Sequence, residues 1–141
     1  MLGFEHARRL LAKGRKDLRA LENMMDVEAF SDEIFGFHAQ QSVEKALKAW
    51  ISSIGIKYPK VHDLEELLAL LVENQQNVPE HFHLLIDLTN FAVEFRYEPL
   101  EELEGELNRV EVIKQVTEVV EHVEKLLREK GEAGESEKHA G

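Results

Sequence analysis

Apolar residues in the first part of the chain fall at three- and four-residue steps: Ala7, Leu11, Gly14, Leu18, Leu21 and Met25. That spacing puts them on one side of an α-helix. A second helix should open after Asp26 or Ser31, since either side chain can accept a bond from the first free backbone N–H groups. At about 100° per residue, Phe35, Ala39, Val43, Ala46, Leu47, Trp50 and Ile54 share its apolar face. Gly55 is placed to end it. Asp63 followed by Glu66 resembles a capping box and opens a third helix through Leu64, Leu67, Leu68 and Leu71. A fourth helix is expected to bury Leu84, Leu88, Phe91 and Phe95. The last starts near Asn108 and carries Val112, Val116, Val119, Val123 and Leu126, widened by Ile113 and Val120.

Pro59, Pro79 and Pro99 separate these stretches. Proline lacks an N–H and disfavours helical geometry in the residue before it, so helices end there. No segment alternates in the manner of a strand. The pattern therefore predicts an all-α fold, an up-and-down four-helix bundle with one additional short helix. Residues 1–128 read as a single helical domain. Residues 129–141 hold nothing large and apolar to bury and read as a mobile polar tail.

Composition narrows the function. The chain has 141 residues, a formal charge of −11 and no cysteine. Disulfides and thiolate chemistry are excluded, and an acidic surface does not suit general nucleic-acid binding. No stretch approaches the roughly 20 apolar residues of a bilayer span, and Met1–Arg9 has no signal-like apolar core. The expectation is a cytoplasmic protein without membrane contact. Charge is uneven, however: Arg8, Arg9, Lys13, Arg15, Lys16 and Arg19 face a single acid, Asp17, between residues 8 and 19. Such a run is either a solvated face paired with the acidic C-terminal half or a phosphate-facing patch.

The polar side of the second helix is the more distinctive candidate. His38, Gln41, Lys45 and Lys48 project into a sector of roughly 80°, beside Ile34 and Phe37 and with Glu44 at its edge. Cations, an amide and an imidazole beside aromatic surface suit an anionic ligand, or a polar seam between helices or subunits. Arg96 and Tyr97 suit either a helix-end cap or a phosphate clamp with a stacked base. Glu80-His81-Phe82-His83 holds one Glu-x-x-His, where a di-metal bundle needs two and further glutamates, so no metal site and no cofactor are expected. Glu118 and His122 read as a surface pair, and His62 as a loop residue able to titrate near neutrality. There is no Gly-rich phosphate loop and no nucleophile elbow.

Three local patterns resemble the HEPN (higher eukaryotes and prokaryotes nucleotide-binding) domain family. Gln41-Ser-Val-Glu44-Lys45-Ala-Leu-Lys48-Ala49 is similar to its Gln-x-x-Glu-Lys-x-x-Lys-Ala helix. Pro59-Lys60-Val61-His62-Asp63-Leu64 is similar to its Pro-Lys-Thr-His-Asp-Leu loop, with Val61 in place of Thr. Arg96-Tyr97-Glu98-Pro99 is similar to its Arg-Tyr-Pro, with Glu98 inserted. The resemblance spans roughly residues 5–128 and implies a helical bundle, a homodimer and, for small prokaryotic members, a nucleotidyltransferase-type partner in a toxin–antitoxin-like pair. It also implies, for many members, a metal-independent ribonuclease built on Arg-x4–6-His. Counted from Arg96, positions 101–103 are Glu101, Glu102 and Leu103. With no imidazole there, general acid–base attack on RNA lacks its usual group.

The expectation is thus a nucleotide-binding or partner-binding module. Arg96 and Tyr97 face His38, Gln41, Lys45 and Lys48 across a cleft, and His62 orients the loop above. The alternatives are an RNA endonuclease with a divergent constellation of Arg96 with His38 or His62, and a purely structural homodimer.

Overall fold

The computed structural model describes residues 2–91 and 107–140, with side chains described over 3–90 and 107–131. Five helices follow one another within these: α1 Leu2–Glu22, α2 Asp32–Ser53, α3 Leu64–Glu73, a 3₁₀ helix Glu80–Phe91, and α4 Arg109–Ala140. There is no strand among the described residues, and the all-α expectation holds. None of these helices is long and apolar enough to cross a membrane.

Local chemistry explains most helix ends. Ser31 caps α2, its Oγ accepting from Ile34 N. Asp26 instead closes the turn before it, accepting from Glu28 N and Ala29 N. Gly55 follows α2 at φ +80°, a left-handed conformation that residues with a Cβ rarely adopt. Asp63 caps α3 through Glu65 N. Asn108 does the same for α4 through Glu111 N.

The core is one cluster drawn from every element. Ala7, Leu11, Leu18 and Leu21 of α1 meet Phe35, Ala39, Val43, Leu47 and Trp50 of α2, and Val116, Val119, Val120 and Val123 of α4 close it. Burying a large apolar side chain contributes about 1.5–3 kcal/mol, so this cluster sets the helix arrangement. α1 runs antiparallel to α2, and glycines mark where the two come closest. Ser42 Oγ donates to Gly14 O at 2.8 Å, and Ser52 Oγ donates to Gly3 O at 3.0 Å. A Cβ on Gly14 would sit 3.1 Å from Ser42 O. α4 runs parallel to α2, pairing its start with the start of α2 (Arg109 to Asp32) and its far end with the end of α2 (Lys130 Nζ to Ser53 O).

Three expectations change. The first helix stops at Glu22 because Asn23 N and Met24 N bond back to Ala20 O and Leu21 O, three residues away. That tighter turn brings Met24 into the core and leaves Met25 44% exposed. The expected fourth helix is 3₁₀ over Glu80–Phe91, at three residues per turn rather than 3.6. Its buried row is therefore Phe82, Leu85 and Leu88, whereas Leu84 is 66% exposed. Phe95 and Pro99 lie outside the described residues. Third, α4 continues through the segment 129–140 that the composition set apart as a tail. That segment holds no proline, and a helix already nucleated extends at little cost.

Arg109, which the sequence pattern gave no reason to single out, ties the top of the bundle together. A cation at a helix start opposes the helix dipole, so tertiary contacts must hold it there. Its guanidinium, only 4% exposed as a residue, donates to Met24 O and Phe30 O at 2.5 Å and pairs with Asp32 Oδ1 at 3.0 Å. It also lies 4.9 Å over the Phe35 ring. One residue thus fixes the whole connection from α1 to α2, and only its Nε is buried without a partner.

Candidate functional site: the polar side of α2

The sector that looked like one cluster in projection divides in two. On the edge facing α1, Lys45 Nζ bonds Asp17 Oδ2 at 2.6 Å and His38 Nδ1 meets Asp17 Oδ1 at 3.2 Å. On the edge facing the loop before α3, Lys48 Nζ donates to Glu44 Oε2 at 3.1 Å. Gln41 stands between the two and donates to Gln40 Oε1 at 2.8 Å. The structure therefore keeps these residues on one side of α2 but hands their charges to different carboxylates.

Glu44 is the centre of the second group. Its side chain is 7% exposed, and a carboxylate so placed must be paired or hydrogen-bonded to remain charged. Oε1 accepts from Gln40 Nε2 at 2.7 Å and faces His62 Nδ1 at 2.8 Å, while Oε2 takes Lys48. Gln40, fully buried, reaches His62 O as well at 3.1 Å, which pins the loop to the helix. Lys48 Nζ also lies 5.4 Å from the centre of the Tyr58 ring, so its charge sits between a carboxylate and an aromatic face. Tyr58 Oη in turn meets His6 Nε2 of α1 at 2.6 Å, the two rings stacked.

Chemically, an ionised carboxylate accepts only, so Glu44 selects the tautomer of His62 that carries hydrogen on Nδ1. With 63% of its side chain exposed, the His62 imidazole is a carboxylate-oriented group at the surface. Such a pair forms two members of an acid–base triad. Among the described residues no hydroxyl is hydrogen-bonded to His62 to serve as the third. Beyond this loop an open groove of about 650 Å³ runs between Lys57, Tyr58 and Lys60 on one wall and Glu66, Leu70 and Glu73 of α3 on the other. Its two lysines are balanced by two glutamates.

The structure thus brings His62 together with Lys48, and His38 together with Lys45. Arg96 and Tyr97 lie outside the described residues, so their expected place across the cleft is not part of this geometry. The residues that organise the site, Asp17, Gln40 and Glu44, were not among the expected ligands. Gln40 did carry a signal, since it projects onto the flank of the apolar face next to Leu47, where a buried amide must find partners. Asp17 carried one too, as the lone acid in a basic run.

The remaining histidines sit apart. His81 Nε2 pairs with Glu118 Oε2 at 2.8 Å, which corrects the expected pairing of Glu118 with His122. His122 instead packs between Trp50 and Phe82, with ring centres 5.1 and 5.4 Å away. Burial there, helped by the charge on Lys125, holds its pKa below the ordinary 6.5. His83 turns back to the backbone oxygen of Glu80 at 3.1 Å, so the Glu-x-x-His does not face a shared site. No group of three or more metal-binding side chains occurs among the described residues.

Comparison with known proteins agrees with the family that the motifs resemble. A family model described as the HEPN domain matches residues 7–130, most of the chain. No curated protein and no solved structure matches it. The chain belongs to the HEPN domain family.

Proposed function

We propose that this HEPN-domain chain is a partner-binding module, acting as a homodimer beside a nucleotidyltransferase-type protein in a toxin–antitoxin-like pair. One feature favours a protein partner over a bound nucleotide. Lys45, Lys48 and His38, the groups that would have gripped a phosphate, are each engaged by a carboxylate from inside the fold. A phosphate entering there would have to displace half-buried Asp17 or buried Glu44 and leave that carboxylate unpaired, which is costly above all at Glu44.

Calorimetric titration with ATP, AMP and GTP separates the two readings, and the module reading expects no heat of binding from the chain alone. Sedimentation of the chain with a nucleotidyltransferase-type protein encoded beside it should give a complex larger than either component. Nucleotide binding that is lost in Arg96→Ala would overturn this reading and restore Arg96 and Tyr97 as ligand groups. RNA cleavage by the purified chain, abolished by Arg96→Ala or His62→Ala, would replace it with the endonuclease reading.

A further inference from the structure

The outer face of α1 carries a concentration of positive charge that no ion pair among the described residues uses. Its single acid between residues 8 and 19, Asp17, faces inward and serves Lys45 and His38, with 15% of its side chain exposed. Arg15 crosses to Glu124 of α4, the pairing expected of a solvated face. Arg8, Arg9, Lys13, Lys16 and Arg19 are all exposed. Among the described residues none of these five lies within ion-pair distance of a carboxylate.

The arrangement is ordered. At about 100° per residue, Arg8 and Arg19 lie within about 20° of each other, while Arg9, Lys13 and Lys16 form a second row roughly 100° around the helix. The array extends about 16 Å at 1.5 Å per residue. Leu11 and Leu18 turn into the core and Leu10 packs against it, so between residues 8 and 19 the exposed face offers neither an aromatic nor a large apolar side chain, and the ring of His6, just before it, is already stacked on Tyr58. Glu5 and Glu22 stand only at its two ends.

We propose that this face binds duplex DNA through the phosphate backbone, without reading base sequence. Each feature narrows the occupant. Protein interfaces are anchored at the centre by buried aromatic or apolar side chains, and a helix lying in a membrane surface inserts an apolar face; neither exists here, so an anionic bilayer would be held by charge alone. Single strands are held by stacking bases on aromatic side chains, also missing. A duplex keeps its bases stacked inward and offers rows of phosphates on both sides of a groove. The B-form major groove, about 12 Å wide, admits an α-helix, whereas the A-form RNA groove is deep and narrow. Two diverging rows of cations on one helix fit the two flanking phosphate rows. The acidic remainder of the chain repels DNA and so turns this one face toward it. The proposal is independent of the partner-binding reading, because it uses none of the α2 residues as ligands.

The test is fluorescence anisotropy of the full chain with a labelled duplex of about 20 base pairs, roughly two turns, at about 50 and about 200 mM salt. Saturable binding that does not depend on base sequence is expected. If all five cations engage, affinity falls by about 500-fold between the two salt concentrations. Reversing one row, Arg9→Glu with Lys13→Glu and Lys16→Glu, should abolish binding while thermal melting stays as in the native chain. Should that variant melt early, Arg9→Ala and Lys16→Ala decide instead, each lowering the salt slope by about 0.9. No anisotropy change at the lower salt would overturn the proposal, as would binding indifferent to these substitutions. Tighter binding to single-stranded RNA of the same length, or to vesicles containing phosphatidylserine, would overturn it too.

Discussion

On α2, Lys45 and Lys48 each end on a carboxylate, at 2.6 and 3.1 Å, with side chains 27% and 11% exposed. On α1, Arg8, Arg9, Lys13, Lys16 and Arg19 reach into solvent, and among the described residues no acid answers them. The residue types are the same and the helices are neighbours. What separates them is the cost of solvation. A cation half-buried against a core must be paired or lose its charge, whereas one on an outer face keeps its water and needs no partner. Positive charge on α2 is therefore part of the fold, and positive charge on α1 is available to something outside it.

Stability measurements can break this comparison. The largest loss is expected for Glu44→Ala, which leaves Lys48 buried without its partner and frees Gln40 and His62. Removing one member of a buried pair costs about 3–5 kcal/mol, visible as a lower urea midpoint at unchanged slope. Asp17→Ala strips Lys45 and His38 of their shared acceptor at a more exposed site, where about 1 kcal/mol is expected. If the two losses came out equal, the distinction between a buried and a peripheral half of the α2 face would fail.

A smaller, pH-dependent effect belongs to His122. Its folded-state pKa lies below 6.5, with burial beside Trp50 and Phe82 as the main cause. As pH falls through 6.5 the unfolded chain takes up the proton first, so stability that is full above 6.5 declines below it and levels off beneath the lowered folded value. His122→Phe should flatten that part of the curve in thermal melts at pH 5 to 8. A slope unchanged by the substitution would assign the pH dependence to another group.

The smallest effect is expected on α1. Arg9→Ala, Lys13→Ala and Lys16→Ala should each move stability by no more than about 0.5 kcal/mol, the usual range for surface positions without special contacts. Arg15→Ala sharpens the contrast, because among the described residues Arg15 alone of the cations in that run pairs with an acid, Glu124. Even so, with side chains 34% and 41% exposed, that pair should contribute only about 0.2–1 kcal/mol.

Much of the fold is legible in the sequence. Ala7, Leu11, Leu18 and Leu21, the α2 stripe from Phe35 to Trp50, and Leu64 to Leu71 all lie in the core as their periodicity requires. Ser31, Gly55 and Asp63 mark helix ends by chemistry that acts within a few residues. The differences fall where the backbone winds more tightly than the α-helix that the spacing assumes. The 3₁₀ geometry of Glu80–Phe91 exchanges Leu84 for Phe82 and Leu85, and a tight turn exchanges Met25 for Met24.

The site was less legible. Helical projection placed His38, Gln41, Lys45 and Lys48 correctly on one side of α2, but it holds no information about what lies opposite. Asp17, 28 residues before Lys45, and the loop carrying His62 arrive only through packing of α1 and α3 against α2. Arg109 shows the same limit, since its acceptors lie 77 to 85 residues away in sequence.

The order of apolar and polar positions by itself determined the helices, most of their faces and, through three short motifs, the family. These depend on backbone geometry and local bonding, which neighbouring residues dictate. Only the tertiary structure decided which charges are consumed and which remain on offer. That follows from burial and distance between remote segments, because the strength of an ion pair depends on the solvent each partner gives up.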